Sequence, residues 1–295
     1  MLAGALATGA CADAAGPGTR ADARDLAGDL QAATAALETA PWQSYAATRL
    51  GQDAILPPPG ASSGGITWTW DTGREGYQPS ELPGGVPGTV RFVLYPLDSL
   101  GRRIEPPGNP VGYADVQARD RANHEFHVQV GGGPTRYADY VIRGADLSRE
   151  GDAAGTFAGS DVEARLTMSY RESPPDAGRA DFQLGVPARD LSLRVSSRYA
   201  DGGAVTAFRA SLQSGGQTME ATGSLDDGRA LRMILLQDQR PVAVVELAGD
   251  STVVTGSQRI LSGSLAEAAT SLGHLIRTVI QTRESLREPV VSFQH

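Results

Sequence analysis

A chain of 295 residues is long enough for one large domain or two ordinary ones, and its 40% apolar residues, 36 glycines and 18 prolines favour many short strands joined by turns. All 26 basic residues are arginines, which excludes chemistry that needs a lysine amine, whether a Schiff base or a P-loop contact to phosphate. A net charge of −8, with no stretch that clusters arginine among stacking aromatics, argues against nucleic acid as a partner.

The single cysteine, Cys11, leaves no disulfide, no CxxC pair and no multi-cysteine zinc site. It follows a run of small and apolar residues from Leu2 to Ala10 and precedes the polar stretch Ala12 to Gly18. In this context Thr8-Gly9-Ala10-Cys11 resembles the signal of bacterial exported lipoproteins, with Thr8 standing where Leu is usual. The resemblance implies a signal and lipobox tether over residues 1–18, acylation of Cys11, and a membrane partner reached through the N-terminal lipid anchor. It also implies a place in the cell envelope, periplasm-facing or at the outer membrane, since Ala12 rather than Asp follows the cysteine. Export without acylation, giving a secreted protein, and an Ala-rich tail are the alternatives. No other stretch approaches the ~20 apolar residues of a membrane span.

Residues 19–56 read as a helical segment, with Leu26, Leu30, Ala33 and Leu37 at helical spacing, Pro41 ending the first helix, and Trp42, Tyr45 and Leu50 in a second. The Pro/Gly run 57–65 reads as a linker. From Ile66 the apolar period becomes two. Ile66, Trp68 and Trp70 form one row, Val90, Phe92 and Leu94 another, then Phe126 to Val130, Val162 to Tyr170, Ala180 to Val186 and Leu191 to Val195. Turn residues between them, such as Gly131 to Pro134 and Ser214-Gly215-Gly216, imply short connections and antiparallel neighbours. Leu231 to Leu236 and Val242 to Leu247 are nearly continuous apolar runs, which predicts burial on both faces. The capping box Ser264-Leu265-Ala266-Glu267 opens a helix over 264–287, with Pro289 as its far limit.

The fold expected is therefore mainly β: over residues 66–295, an antiparallel meander of about eleven or twelve strands, a half-barrel or open curved sheet, with the C-terminal amphipathic helix packed on it. In outline it looks like the half-barrel of bacterial lipoprotein carriers.

Candidate chemistry is sparse. Gly60-Ala61-Ser62-Ser63-Gly64 fits the G-x-S-x-G pattern, but a proline run precedes it and a strand follows, the reverse of a nucleophile elbow. His124 and His127, three apart on a strand, point to opposite faces and do not converge on one ion. His274 lies beside the apolar stripe of the last helix, and Asp226-Asp227-Gly228 reads as a turn. Trp68 and Trp70 share a face, as core or as a stacking platform. The expectation is a non-enzymatic binding or carrier module without cofactor, metal site or catalytic residues. It would hold a lipid or other apolar ligand in a groove lined by Leu231, Met233 and Leu235 of the sheet and Leu272, Ile276 and Val279 of the helix. The alternative is an envelope-assembly protein whose exposed β surface meets another envelope protein; a hydrolase is third.

Overall fold

The computed structural model describes residues 17–48, 65–74, 76–80, 87–99, 101–104, 109–120, 123–173, 177–200, 204–226, 230–237, 239–248, 251–256, 259–260, 263–291 and 293. Cys11 and the Gly60 to Gly64 pattern lie outside them, as do all but the last residue of the expected linker. Two helices come first, α1 (Pro17–Leu37) and α2 (Ala40–Ala46). Strands follow: β1 (Ile66–Asp71), β2 (Gly76–Ser80), β3 (Val90–Leu94), β4 (Gly112–Asp120), β5 (Glu125–Gly132), β6 (Thr135–Asp146), β7 (Glu150–Ala158) and β8 (Glu163–Ser173). The series continues with β9 (Ala177–Val186), β10 (Leu191–Ala200), β11 (Val205–Ser214), β12 (Gln217–Asp226), β13 (Ala230–Gln237), β14 (Arg240–Ala248), β15 (Ser251–Gly256) and β16 (Arg259–Ile260), and α3 (Ser264–Val291) closes the chain.

All sixteen strands form one sheet. From β4 to β16 each strand pairs with its predecessor in the antiparallel sense, as the short Gly-rich connections require. At the other end β1 inserts between β3 and β2, and its pairing with β3, Trp68 opposite Phe92, is parallel. Neither end of the order closes on the other, so the sheet is open. The strand count exceeds the expected eleven or twelve, partly because β2, β15 and β16 are too short, at five, six and two residues, to show a period of their own.

Alternation along the strands gives the sheet one apolar face. Ala164, Leu166, Met168 and Tyr170 of β8 and Leu191, Leu193 and Val195 of β10 point into a single core that also takes in Leu30, Trp42 and Tyr45 of the N-terminal helices. α3 lies across this face. Its 28 residues span about 42 Å, yet it touches β15, and Phe293 just beyond its end packs on Phe92 of β3 and Phe126 of β5. Thirteen strands laid flat would span about 58 Å. The sheet therefore curls around the helix. α1 runs parallel to α3 beside it, with Gln31 meeting Ser271 and Glu38 meeting Thr278.

Four expectations are corrected. The outer sides of β13 and β14 are not covered: Ile234 is 39% and Val242 41% exposed, because helices lie on one face only. The apolar continuity of those strands reports an exposed stripe, not double burial. Helix α3 runs through Pro289 to Val291; a proline this near the end forfeits one backbone bond, and buried Val290 and half-buried Phe293 anchor the turn beyond it. Thr278, on the sequence pattern an outward residue, is buried against α1 and donates to Glu38 at 2.7 Å. His124 is not on a strand; it sits in the turn before β5 at φ 44°, its Nδ1 2.8 Å from the Ala145 carbonyl.

Candidate functional site

The six residues of the expected groove do meet. Leu231, Met233 and Leu235 come from β13, Leu272, Ile276 and Val279 from α3, and none is more than 4% exposed. All six belong to the one apolar core. At Gly273 the helix comes so close that a methyl group would stand 3.0 Å from Leu247 Cδ1 and 3.2 Å from Met233 Cε.

Toward its C-terminal half the same interface turns polar. Arg283 is 4% exposed, and its guanidinium stacks 3.9 Å above the Tyr199 ring of β10. Glu172 of β8 approaches Arg283 at 3.5 Å and Arg287 at 2.8 Å, while Glu284 contacts both arginines. Burial alone would raise the Glu284 carboxyl, but the two guanidinium groups outweigh it and hold it below the usual carboxylate range. Arg283 Nε and Nη1 and Arg287 Nε are buried without a hydrogen-bond partner among the described residues. Buried donors left over in an apolar interface are uncommon.

The open concavities lie elsewhere. On the outer face two adjoining cavities of about 810 Å³ each share Asp152, Ser169 and Asp181, and together form one trough across β6 to β10. Alternation puts polar residues here for the same reason that it puts leucines inside. The ladder register then sets them side by side: Asp152 faces Ser169, Ser169 faces Asp181, and Asp181 faces Ser196. Two residues along runs a second row in which Arg171 faces Arg179 and Arg179 faces Arg198. Arg179 grips Asp181 through two bonds of 2.9 and 3.0 Å, and Ser196 donates to the same carboxylate at 2.5 Å. Burial opposes ionisation of Asp181, but these partners hold its carboxyl below the usual range.

A smaller cleft of about 460 Å³ lies between α1 and α3, lined by Glu38, Glu267, His274 and Arg277. Arg277 donates to His274 Nδ1 at 2.9 Å, and burial, then the Arg277 charge, lowers the imidazole below its ordinary value. His127 lies on the outer face of β5 and makes a 2.7 Å bond to Asp139, while Arg119 donates to its other ring nitrogen at 3.0 Å. His124, in the turn before β5, bonds the Ala145 carbonyl instead. Trp68 joins the core, and Trp70 is half-buried beneath Arg103, whose guanidinium lies 4.4 Å from the ring.

Sequence reasoning missed the trough. The outward arginines, such as Arg194 and Arg198 of β10, are visible strand by strand, but their alignment across strands depends on register, which a single sequence does not display. Among the described residues no three His, Cys, Asp or Glu side chains converge as a metal site, and no helix is long and apolar enough to cross a membrane. No protein-family model, no curated protein and no solved structure matches the chain.

Proposed function

We propose that this chain is a non-enzymatic binding module of the cell envelope, tethered through Cys11, that engages its ligand with the outer face of its sheet. One observation carries the reading: the outer face holds an open trough built from two adjoining cavities of about 810 Å³, lined by polar and charged side chains of β6 to β10. Concavity with convergent polar groups is the usual setting of a binding site. Arginine labelling with phenylglyoxal, read by mass spectrometry, tests it. Arg171, Arg179, Arg194 and Arg198 should be protected in native envelopes relative to purified protein, while exposed Arg232 on β13 is labelled equally in both. Equal labelling everywhere would overturn the reading.

A second reading, a lipid or apolar ligand carried between α3 and the sheet, is favoured by the unpartnered donors of Arg283 and Arg287. They give the interface a polar end beside its apolar length, which matches an amphiphile. Native mass spectrometry of the purified chain, looking for co-purified lipid, tests that reading.

A further inference from the structure

The outer faces of β8 to β11 carry six arginines, at positions 165, 171, 179, 194, 198 and 209, against two carboxylates, Glu163 and Asp181. The whole chain has a net charge of −8, so this basic field runs against the composition of the molecule. Its geometry is also costly. Arg171, Arg179 and Arg198 stand directly opposite one another on three neighbouring strands, an arrangement in which like charges repel. Arg171 and Arg179 are eased by Glu150 at 3.2 Å and Asp181 at 2.9 Å. Arg194, Arg198 and Arg209 make no ion pair among the described residues. A surface that sets like charges opposite one another and leaves three of its six arginines outside any ion pair among the described residues is suited to meeting the opposite charge from outside.

We propose that the trough docks an anionic polysaccharide, a chain of sugars bearing carboxylate or phosphate groups; the proposal rests on the reading of this face as the ligand-engaging surface. Guanidinium forks match carboxylate and phosphate oxygens in pairs. The rest of the lining suits sugar hydroxyls: Ser169, Ser196 and Thr206 offer hydroxyls, Gln183 an amide, and Asp152 a carboxylate acceptor. An acidic peptide is the poorer fit. On the face of a sheet the backbone donors and acceptors are consumed by the ladder, so a peptide's amides would find only side chains, whereas strand addition takes place at an edge. An anionic bilayer is poorer still, since a flat surface cannot follow the concavity of the trough.

The full chain is titrated calorimetrically with polygalacturonate oligosaccharides, neutral dextran, polyglutamate and phosphatidylglycerol vesicles, at low and at physiological salt. Polygalacturonate should bind with an affinity that falls as salt rises, and dextran should not bind. The triple variant R171Q/R179Q/R198Q should weaken binding about tenfold or more, the corresponding triple lysine variant should retain part of it, and R232Q should change nothing. All the substituted side chains are solvent-exposed, and equal thermal midpoints establish that the variants fold. Tighter binding of polyglutamate or of vesicles, or a triple glutamine variant that binds like the parent, overturns the proposal. If no probe binds yet the trough arginines are protected in native envelopes, the ligand class is wrong and the surface stands; if neither is seen, both fall.

Discussion

Gln31 and Ser271, 240 positions apart, are joined by a 3.2 Å hydrogen bond, and Glu38 and Thr278 repeat the same separation one helical stretch later at 2.7 Å. The constant offset means that α1 and α3 are parallel neighbours in fixed register. α1 is thus part of the core cover and not an appendage. Leu30 of α1, fully buried, should cost about 2–5 kcal/mol when cut to Ala. Thr278→Ala, which strips Glu38 of a donor, should cost about 1–2 kcal/mol. Urea unfolding monitored by circular dichroism checks both.

The face assignment of α3 predicts a sharp contrast between neighbouring turns. Leu272→Ala and Ile276→Ala should each cost about 2–5 kcal/mol, while Leu265→Ala, at a site 54% exposed, should stay within about 0.5 kcal/mol. Equal losses at all three positions in denaturant titrations would contradict the packing.

Gly155 on β7 faces Tyr140 on β6, and a methyl group there would collide with the Asp139 carbonyl and the Tyr140 backbone. The close approach seats Tyr140 where its hydroxyl donates to the Leu286 carbonyl at 3.2 Å, with the Tyr45 hydroxyl 3.5 Å away. Gly155→Ala should cost at least about 1–3 kcal/mol and lower the thermal midpoint by calorimetry.

Arg283→Met removes a buried charge that leaves two nitrogens unpaired, while the former partners Glu172 and Glu284 keep side-chain exposures of 38% and 45%. Stability should therefore change by no more than about 1 kcal/mol, because Arg287 still pairs with both carboxylates and neither is left as an uncompensated buried charge. A loss of several kcal/mol in chemical unfolding would identify Arg283 as a structural latch.

His274 titrates below its ordinary value of 6.5 in the folded chain, through burial first and Arg277 second, with Glu38 opposing. Below pH 6.5 the unfolded chain binds this proton more readily than the folded one, so stability should fall as pH drops from about 6.5 toward the lowered folded value. His274→Gln should flatten that portion of a pH series of thermal midpoints and leave the neutral side unchanged.

The mainly β architecture and α3 were legible because both are periodic signals carried by contiguous residues: Val162 to Tyr170 alternates along all of β8, and Ser264 to Glu267 marks the helix start. What resisted reading depends on partners remote in the chain. Nothing near Gln31 says that it will meet a helix 240 residues on, and nothing near Ile234 says that no second layer will cover it. The candidate groove residues were readable one by one as apolar. How closely the helix approaches the sheet at Gly273, beside Met233 and Leu247, is a matter of fit that is visible only in three dimensions.

Placing the first and last helices side by side also sets an order of assembly. Each hairpin of the meander has the local pairing it needs as soon as its second strand emerges. The leucine-lined face stays wet until α3 arrives, and α1, first out, has no parallel neighbour until then. A chain threaded through a membrane from its N-terminus would thus spend nearly its whole passage with that face uncovered, and be at its stickiest one helix short of completion.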